Sequence, residues 1–167
     1  SSAKEAETVL KTAWEEVAET VLGKAEDSWH MVSKIAVITH ISDMIIRTKS
    51  TITIVLPELE ENIINTLLTV KPKIRVHLIA GLDMEADIEK IKKLLQKGNI
   101  RVWERTERDF LGCARDNEEV LLAPSTDESQ KIVAIISQQP GYVDLVHRVF
   151  GPMWMASSKE VREKDLL

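Results

Sequence analysis

The sequence predicts an α/β domain: a mixed sheet with a βαβαβ core plus a hairpin, flanked by helices and preceded by an N-terminal helical extension. Three observations predict it. Strand-like apolar runs occur at residues 51–57, 74–80 and 100–103, and helix-spaced segments separate them. Strand, helix, strand, helix, strand at this spacing has a parallel sheet with right-handed crossovers as its default. Past Trp103 the pattern changes to two short apolar runs around Asp116-Asn117, which is turn chemistry.

Taken in order, residues 3–22 contain no Pro or Gly, and Leu10, Trp14, Val17 and Val21 recur at steps of four, three and four. That narrow stripe fits a short dimerising coiled-coil seam and equally a helix packed on its own domain. Gly23 is placed to end the helix. Glu26-Asp27-Ser28 offers N-cap chemistry for a second helix over 29–48, whose wide apolar face includes Trp29, Val32, Ile35, Ile38, Ile41 and Ile45.

The run TITIVLP has the continuous apolarity of a strand covered on both faces. Residues 58–69 resume helical spacing, with Glu58, Glu60 and Glu61 where a helix dipole favours acid. After the break at Lys71-Pro72-Lys73 comes the second strand, stopped by Gly81. Asp83 is expected to cap a third helix that ends with Gly98 at the C′ position.

The hairpin strands are read at 110–114 and 119–123, with a further strand at 131–137 (KIVAIIS). An amphipathic helix over 141–156 is expected to kink or break at Pro152. The domain boundaries that follow are a helix and linker at 1–28, the α/β domain at 29–157, and a frayed polar tail at 158–167.

Composition narrows the function classes. At 167 residues, 44% hydrophobic and 29% charged, the chain has the make-up of one globular domain and is too apolar for disorder. A net charge of −5, with no Lys/Arg run longer than two, gives no general attraction to nucleic acid or anionic membrane. No stretch approaches the roughly 20 apolar residues of a membrane-spanning helix. The single cysteine, Cys113, excludes an internal disulfide and fits a reducing compartment, so a cytoplasmic location is expected. An opening Ser-Ser-Ala without Met is expected of a piece of a longer protein.

Few residues carry a chemical signature. Histidines stand at 30, 40, 77 and 147, and only His40 and Asp43 share helix spacing, without a third ligand. No metal site, phosphate loop or cofactor motif follows. Ligands of open α/β sheets sit beyond the carboxyl ends of parallel strands, which here offer Glu58, Asp83 and Glu104. Acidic groups there suit a neutral polyol or sugar better than an anion.

A helix leading into TITIVLPEL, then helix, strand, helix, IRVWE, the hairpin CARDNEEVLLAPS, another strand and a helix ending in FGPMW is similar to half of a phospholipase D-like fold. More narrowly, it resembles the sensor domain of TrmB-type transcriptional regulators, across residues 29–154. Active phospholipase D-like proteins carry H-x-K-x4-D on this hairpin. With the aspartate laid on Asp116, the histidine position falls on Asp109 and the lysine position on Leu111. The following Gly-Ser falls at Pro124-Ser125, without the glycine. Aspartate is not the imidazole nucleophile, and leucine binds no phosphoryl charge.

The resemblance therefore implies a non-catalytic sensor or oligomerisation domain, with the hairpin against the third parallel strand. It implies a homodimer, since active relatives join two half-folds. DNA would be contacted only by an upstream winged helix. A small effector would meet Glu58, Asp83, Glu104, Asp109 and Asp116. Two alternatives remain: an interaction module docking through the Leu10, Trp14 and Val17 stripe, and a phosphodiesterase with displaced catalytic groups.

Overall fold

The computed structural model describes residues 2–22, 28–125 and 132–167, with the side chains of 16–22 outside that description. In chain order the elements are α1 (Ser2–Leu22), β1 (Ser28–Val32), α2 (Lys34–Arg47), β2 (Thr51–Leu56), α3 (Glu61–Leu67), β3 (Arg75–Ala80), α4 (Ile88–Gln96) and β4 (Ile100–Arg105). The hairpin β5 (Phe110–Arg115) and β6 (Glu119–Pro124) follows, then β7 (Val133–Ser137), α5 (Pro140–Leu145), a π turn (Val146–Phe150), α6 (Gly151–Ala156), β8 (Ser158–Val161) and a 3-10 turn (Glu163–Leu166). The strands make one mixed sheet in the order β1-β7-β6-β5-β2-β3-β4-β8. β2, β3 and β4 run parallel as the alternating runs predict, and the other pairings are antiparallel.

Period-two side chains divide the core. Ile52, Ile54, Leu56, Val76, Leu78, Leu111 and Cys113 join the larger cluster beneath α2, α3 and α4. Val55, Ile79, Trp103 and Ala114 face the other way, under Val143, Val146 and Trp154 of the C-terminal helical segment. Fully burying each large side chain is worth about 1.5–3 kcal/mol, so both layers must be covered for the sheet to persist.

Several expectations are corrected. The second helix does not begin at Trp29: residues Ser28–Val32 form β1, in register with β7 from Ser28↔Ser137 to Val32↔Val133. The helix starts after Ser33, whose hydroxyl accepts from the Ala36 amide at 3.1 Å and whose φ of 115° breaks the strand. Ser28 belongs to the strand, while Glu26 and Asp27, proposed beside it as caps, and Gly23 lie outside the described residues. The helical spacing ran unbroken through Ser33 because no Pro or Gly marks the turn.

The hairpin does not lie against the third parallel strand. β5 pairs antiparallel with β2, with Ile54 opposite Cys113, and the far side of β4 is taken by β8. The polar tail is thus a sheet edge: Val161 and Leu166 are buried, while Arg162, Glu163, Lys164 and Asp165 between them are exposed. Asp83 does not cap α4. It closes the preceding turn, accepting from the Glu85 and Ala86 amides at 3.1 and 3.3 Å, and Asp87 holds the N-cap position. Gly98 takes the C′ position with φ of 79°, as expected. Pro152 is accommodated by the π turn before it, where the Gly151 amide bonds Val146 O five residues back.

α1 lies along β1 and β7, and Trp14 Nε1 donates to Val133 O at 2.8 Å. Trp14 therefore turns to its own sheet while Leu10 stays exposed; the Val17 and Val21 side chains lie outside the described residues. No described helix is long and apolar enough to cross a membrane.

Candidate functional site

The carboxyl ends of the parallel strands come together at one edge of the sheet. Leu56 is level with Ala80, and Ala80 with Glu104. β5 runs back alongside β2 with Val55 opposite Gly112, which brings Asp109 and Phe110 to the same edge. Gly81 sits in the middle: a Cβ there would meet Pro57 O and the Arg108 side chain, so the backbones can approach only because it has none. Arg108 closes over it and donates to Leu82 O at 3.3 Å.

Four of the proposed effector residues, Glu58, Asp83, Glu104 and Asp109, gather at this edge. Asp116 does not, because it lies at the opposite end of the hairpin, beside the start of β2. Glu58 is 3.6 Å from Lys34, and Asp83 is held in its own turn. Asp109 is bound by Arg105 at 2.5 Å. Arg105 is largely buried, its guanidinium lying over the Phe110 ring. The position that the resemblance gives to a nucleophilic imidazole thus holds a carboxylate already paired to a cation. The position given to the lysine, Leu111, is fully buried in the larger core cluster.

The opposite edge holds the best-developed polar cluster. Glu119, first residue of β6, is fully buried. Its carboxylate accepts from His40 Nε2 at 2.9 Å and Arg47 Nη1 at 2.7 Å, both from α2. Arg115, opposite it across the hairpin, donates through Nε and Nη2 at 3.1 Å. Burial works against the charge of Glu119, but the His40 and Arg47 hydrogen bonds and the guanidinium charge outweigh it and hold the carboxyl down at about 2. Asp116, with φ of 52°, accepts from the Lys49, Ser50 and Thr51 amides at 2.8–3.1 Å. Burial opposes its ionisation as well, yet those amides keep its carboxyl below the usual range. Asp116 is therefore the turn residue its Asx chemistry implied, and it stitches the hairpin to the α2–β2 connection.

Sequence reasoning missed Arg105, Arg115 and Glu119. Arg115 and Glu119 flank the turn as a cross-strand pair, and this signal was available. Their link to α2 was not, because it joins residues more than 70 positions apart in the chain. His40 and Asp43 part company: His40 binds Glu119, while Asp43 pairs with Arg47 at 2.7 Å. Cys113 is buried, as its small neighbours suggested, and burial pushes its thiol well above the ordinary range. A shallow cavity of about 220 Å³ lies between α4 and the chain's C-terminal turn, lined by Lys92, Leu95, Gln96, Glu163, Leu166 and Leu167.

No protein-family model and no curated protein sequence matches this chain. Solved structures do. The chain is similar to TrmBL2, an archaeal chromatin protein whose structure shows a novel mode of DNA binding, with a TM-score of 0.61 and 14% identity over 96% of this chain. It spans 65% of TrmBL2's length. It is also similar to Nuc, a phospholipase D family member from Salmonella typhimurium, with a TM-score of 0.60 and 13% identity over 82% of this chain and all of Nuc. A third likeness is to phosphatidylserine synthase of Haemophilus influenzae Rd KW20, with a TM-score of 0.57 and 13% identity over 80% of this chain and 40% of the synthase. The fold is therefore the phospholipase D-like mixed α/β architecture, shared by catalysts and by a DNA-binding chromatin protein.

Proposed function

We propose that this chain is a non-catalytic regulatory domain of a transcription regulator, acting as a homodimer and sensing a small neutral ligand. One observation carries the reading. Where the resemblance calls for an imidazole and an amine, the chain has Asp109 bound to Arg105 and a fully buried Leu111. A carboxylate repels an incoming phosphodiester, and a core leucine cannot reach it. The likeness to TrmBL2 over nearly the whole chain supports a regulator over an enzyme.

In this reading DNA is contacted by a separate winged-helix segment of the full-length protein. The net charge of −5 agrees, since even weak non-specific DNA binding rests on several phosphate contacts by Lys and Arg. Glu58, Asp83, Glu104 and Asp109 form the ligand-facing rim, and Asp116 leaves that set. The test has two arms. A generic phosphodiester should turn over no faster than in buffer, and a turnover abolished by Asp109→Ala would overturn the reading. Titration with a panel of sugars and polyols should give a binding heat that Glu104→Gln weakens, and silence across the panel would remove the sensing part.

A further inference from the structure

The C-terminal helical segment covers only part of the sheet face beneath it. The row Val55, Ile79 and Trp103 is buried under it. Two residues nearer the amino ends of the strands, Thr53, His77 and Arg101 stand in register across β2, β3 and β4. They point to the same face, because side chains alternate along a strand. Thr53 and His77 are half-buried and Arg101 is exposed, as is Arg75, two residues before His77 on that face. Same-face neighbours lie about 7 Å apart along a strand and adjacent strands about 4.8 Å apart. Both arginines are thus within side-chain reach of one small group lying over the imidazole.

These side chains are already ordered. The His77 ring meets Trp103 edge-on, with centroids 5.3 Å apart. The Arg101 guanidinium lies 5.0 Å over the same indole. Its Nε and Nη2 donate to the two oxygens of Glu160 on β8 at 2.7 and 2.8 Å. Arg162, 3.8 Å from Glu160, adds a further cation at this edge, and Asp165 accepts from its amide. Among the described residues Arg75 pairs with no carboxylate. Burial and the charges of Arg101 and Arg75 hold the His77 imidazole below its ordinary range, against a smaller pull from Glu160. An anion set between the arginines would cancel that repulsion and let the ring take a proton.

We propose that Arg75, His77 and Arg101, with the Thr53 hydroxyl beside them, bind a small dianionic oxyanion at the foot of the helical segment. Guanidinium forks match the paired oxygens of carboxylate and phosphate, which a neutral sugar does not offer. A polyanion is disfavoured, because nucleic-acid affinity rests on several phosphate contacts and the chain as a whole carries −5. Glu160 competes with the ligand for Arg101 and so sets its affinity. This site lies at the opposite end of β3 and β4 from the Glu58, Asp83, Glu104 and Asp109 rim, and it stands or falls independently of a neutral ligand there.

The test is the NMR titration of the His77 ring in the whole chain, assigned by the signal lost in His77→Gln. Inorganic sulfate, whose charge is constant across neutral pH, should raise the titration midpoint of His77, and chloride at equal ionic strength should not. Arg75→Gln, at an exposed position, should weaken sulfate binding by about tenfold or more, the loss of one hydrogen bond to a charged group. Glu160→Gln should tighten it, which a purely structural pair would not do. Succinate in place of sulfate separates the two sources: an equal response assigns dicarboxylates as well, and silence restricts the site to tetrahedral oxyanions. Melting temperature is not the readout, since sulfate stabilises folded proteins by exclusion from their surfaces. A His77 midpoint that moves equally in chloride, or a sulfate response unchanged by Arg75→Gln, would overturn the site. An oligothymidylate that displaces sulfate at lower concentration would overturn the small-ligand assignment.

Discussion

His40 Nε2 donates to one carboxylate oxygen of Glu119 at 2.9 Å, and Arg47, two turns further along the same helix, holds the other at 2.7 Å. Seven residues return nearly to the same side of an α-helix, so both side chains leave α2 toward one point on β6. Arg115 approaches that point from β5. A charge removed from water at this depth is tolerable only because both oxygens accept from N–H donors, Oε2 from His40 and Oε1 from Arg47 and Arg115.

Replacing Glu119 by Gln should therefore destabilise the fold by roughly 3–5 kcal/mol, the cost of breaking a buried pair from one side. Two guanidiniums would lose their counter-charge at once. Urea denaturation checks this, and a loss under 1 kcal/mol would mean that water already screens the cluster.

Acid should act through the same carboxyl. Its folded-state value is depressed to about 2 from an unfolded value of 4.5, so its contribution is complete above about pH 4.5 and disappears as pH falls toward 2. Between those limits stability should drop by about 1.4 kcal/mol per pH unit from this group. Asp116, held low by three backbone amides, adds in the same direction. The gap between unaltered chain and Glu119→Gln should close across that window; a gap independent of pH would refute the assignment.

Asp116→Ala should cost about 2–3 kcal/mol, since it strips partners from the Lys49, Ser50 and Thr51 amides and leaves alanine at positive φ. Asp116→Asn keeps an acceptor and a residue that tolerates that backbone region, so it should cost clearly less. Equal losses in the two variants would show that the amides do not depend on this side chain.

Installing the catalytic pattern of active phospholipase D-like proteins should fail. Asp109→His with Leu111→Lys puts an ammonium group in the larger core, which should cost several kcal/mol and yield no turnover of a generic phosphodiester. A stable, active double variant would show that substrate can reach the hairpin.

Val161→Asp should destabilise the chain by about 2 kcal/mol or more, because Val161 is buried opposite Val102 where β8 edges the sheet. A melting temperature unaffected by this change would return residues 158–167 to the status of a loose tail.

The central strands were legible because each carries its own punctuation. Thr51 to Leu56 alternates and stops at Pro57, Gly81 ends β3, and Asp116-Asn117 marks the hairpin. β1 was misread because Trp29, Val32 and Ile35 also fit helical spacing, and the chain turns at a serine forced to positive φ. β8 was missed because a polar edge strand needs only Val161 facing inward, and its partner is more than 50 residues away. For the same reason the Arg115–Glu119 pair could be read from its place across a turn, whereas its ties to His40 and Arg47 depend on how α2 docks.

The sheet order carries a consequence for how the protein opens. The adjacent strands β6, β5, β2, β3 and β4 all come from the continuous run between Thr51 and Pro124, while β1, β7 and β8 are drawn from outside it. Amide protons in that central run should exchange with solvent most slowly, and those of β1 and β8 first. Loosening should then spread from the two rims inward, so that the chain's ends detach while its central run still holds its shape.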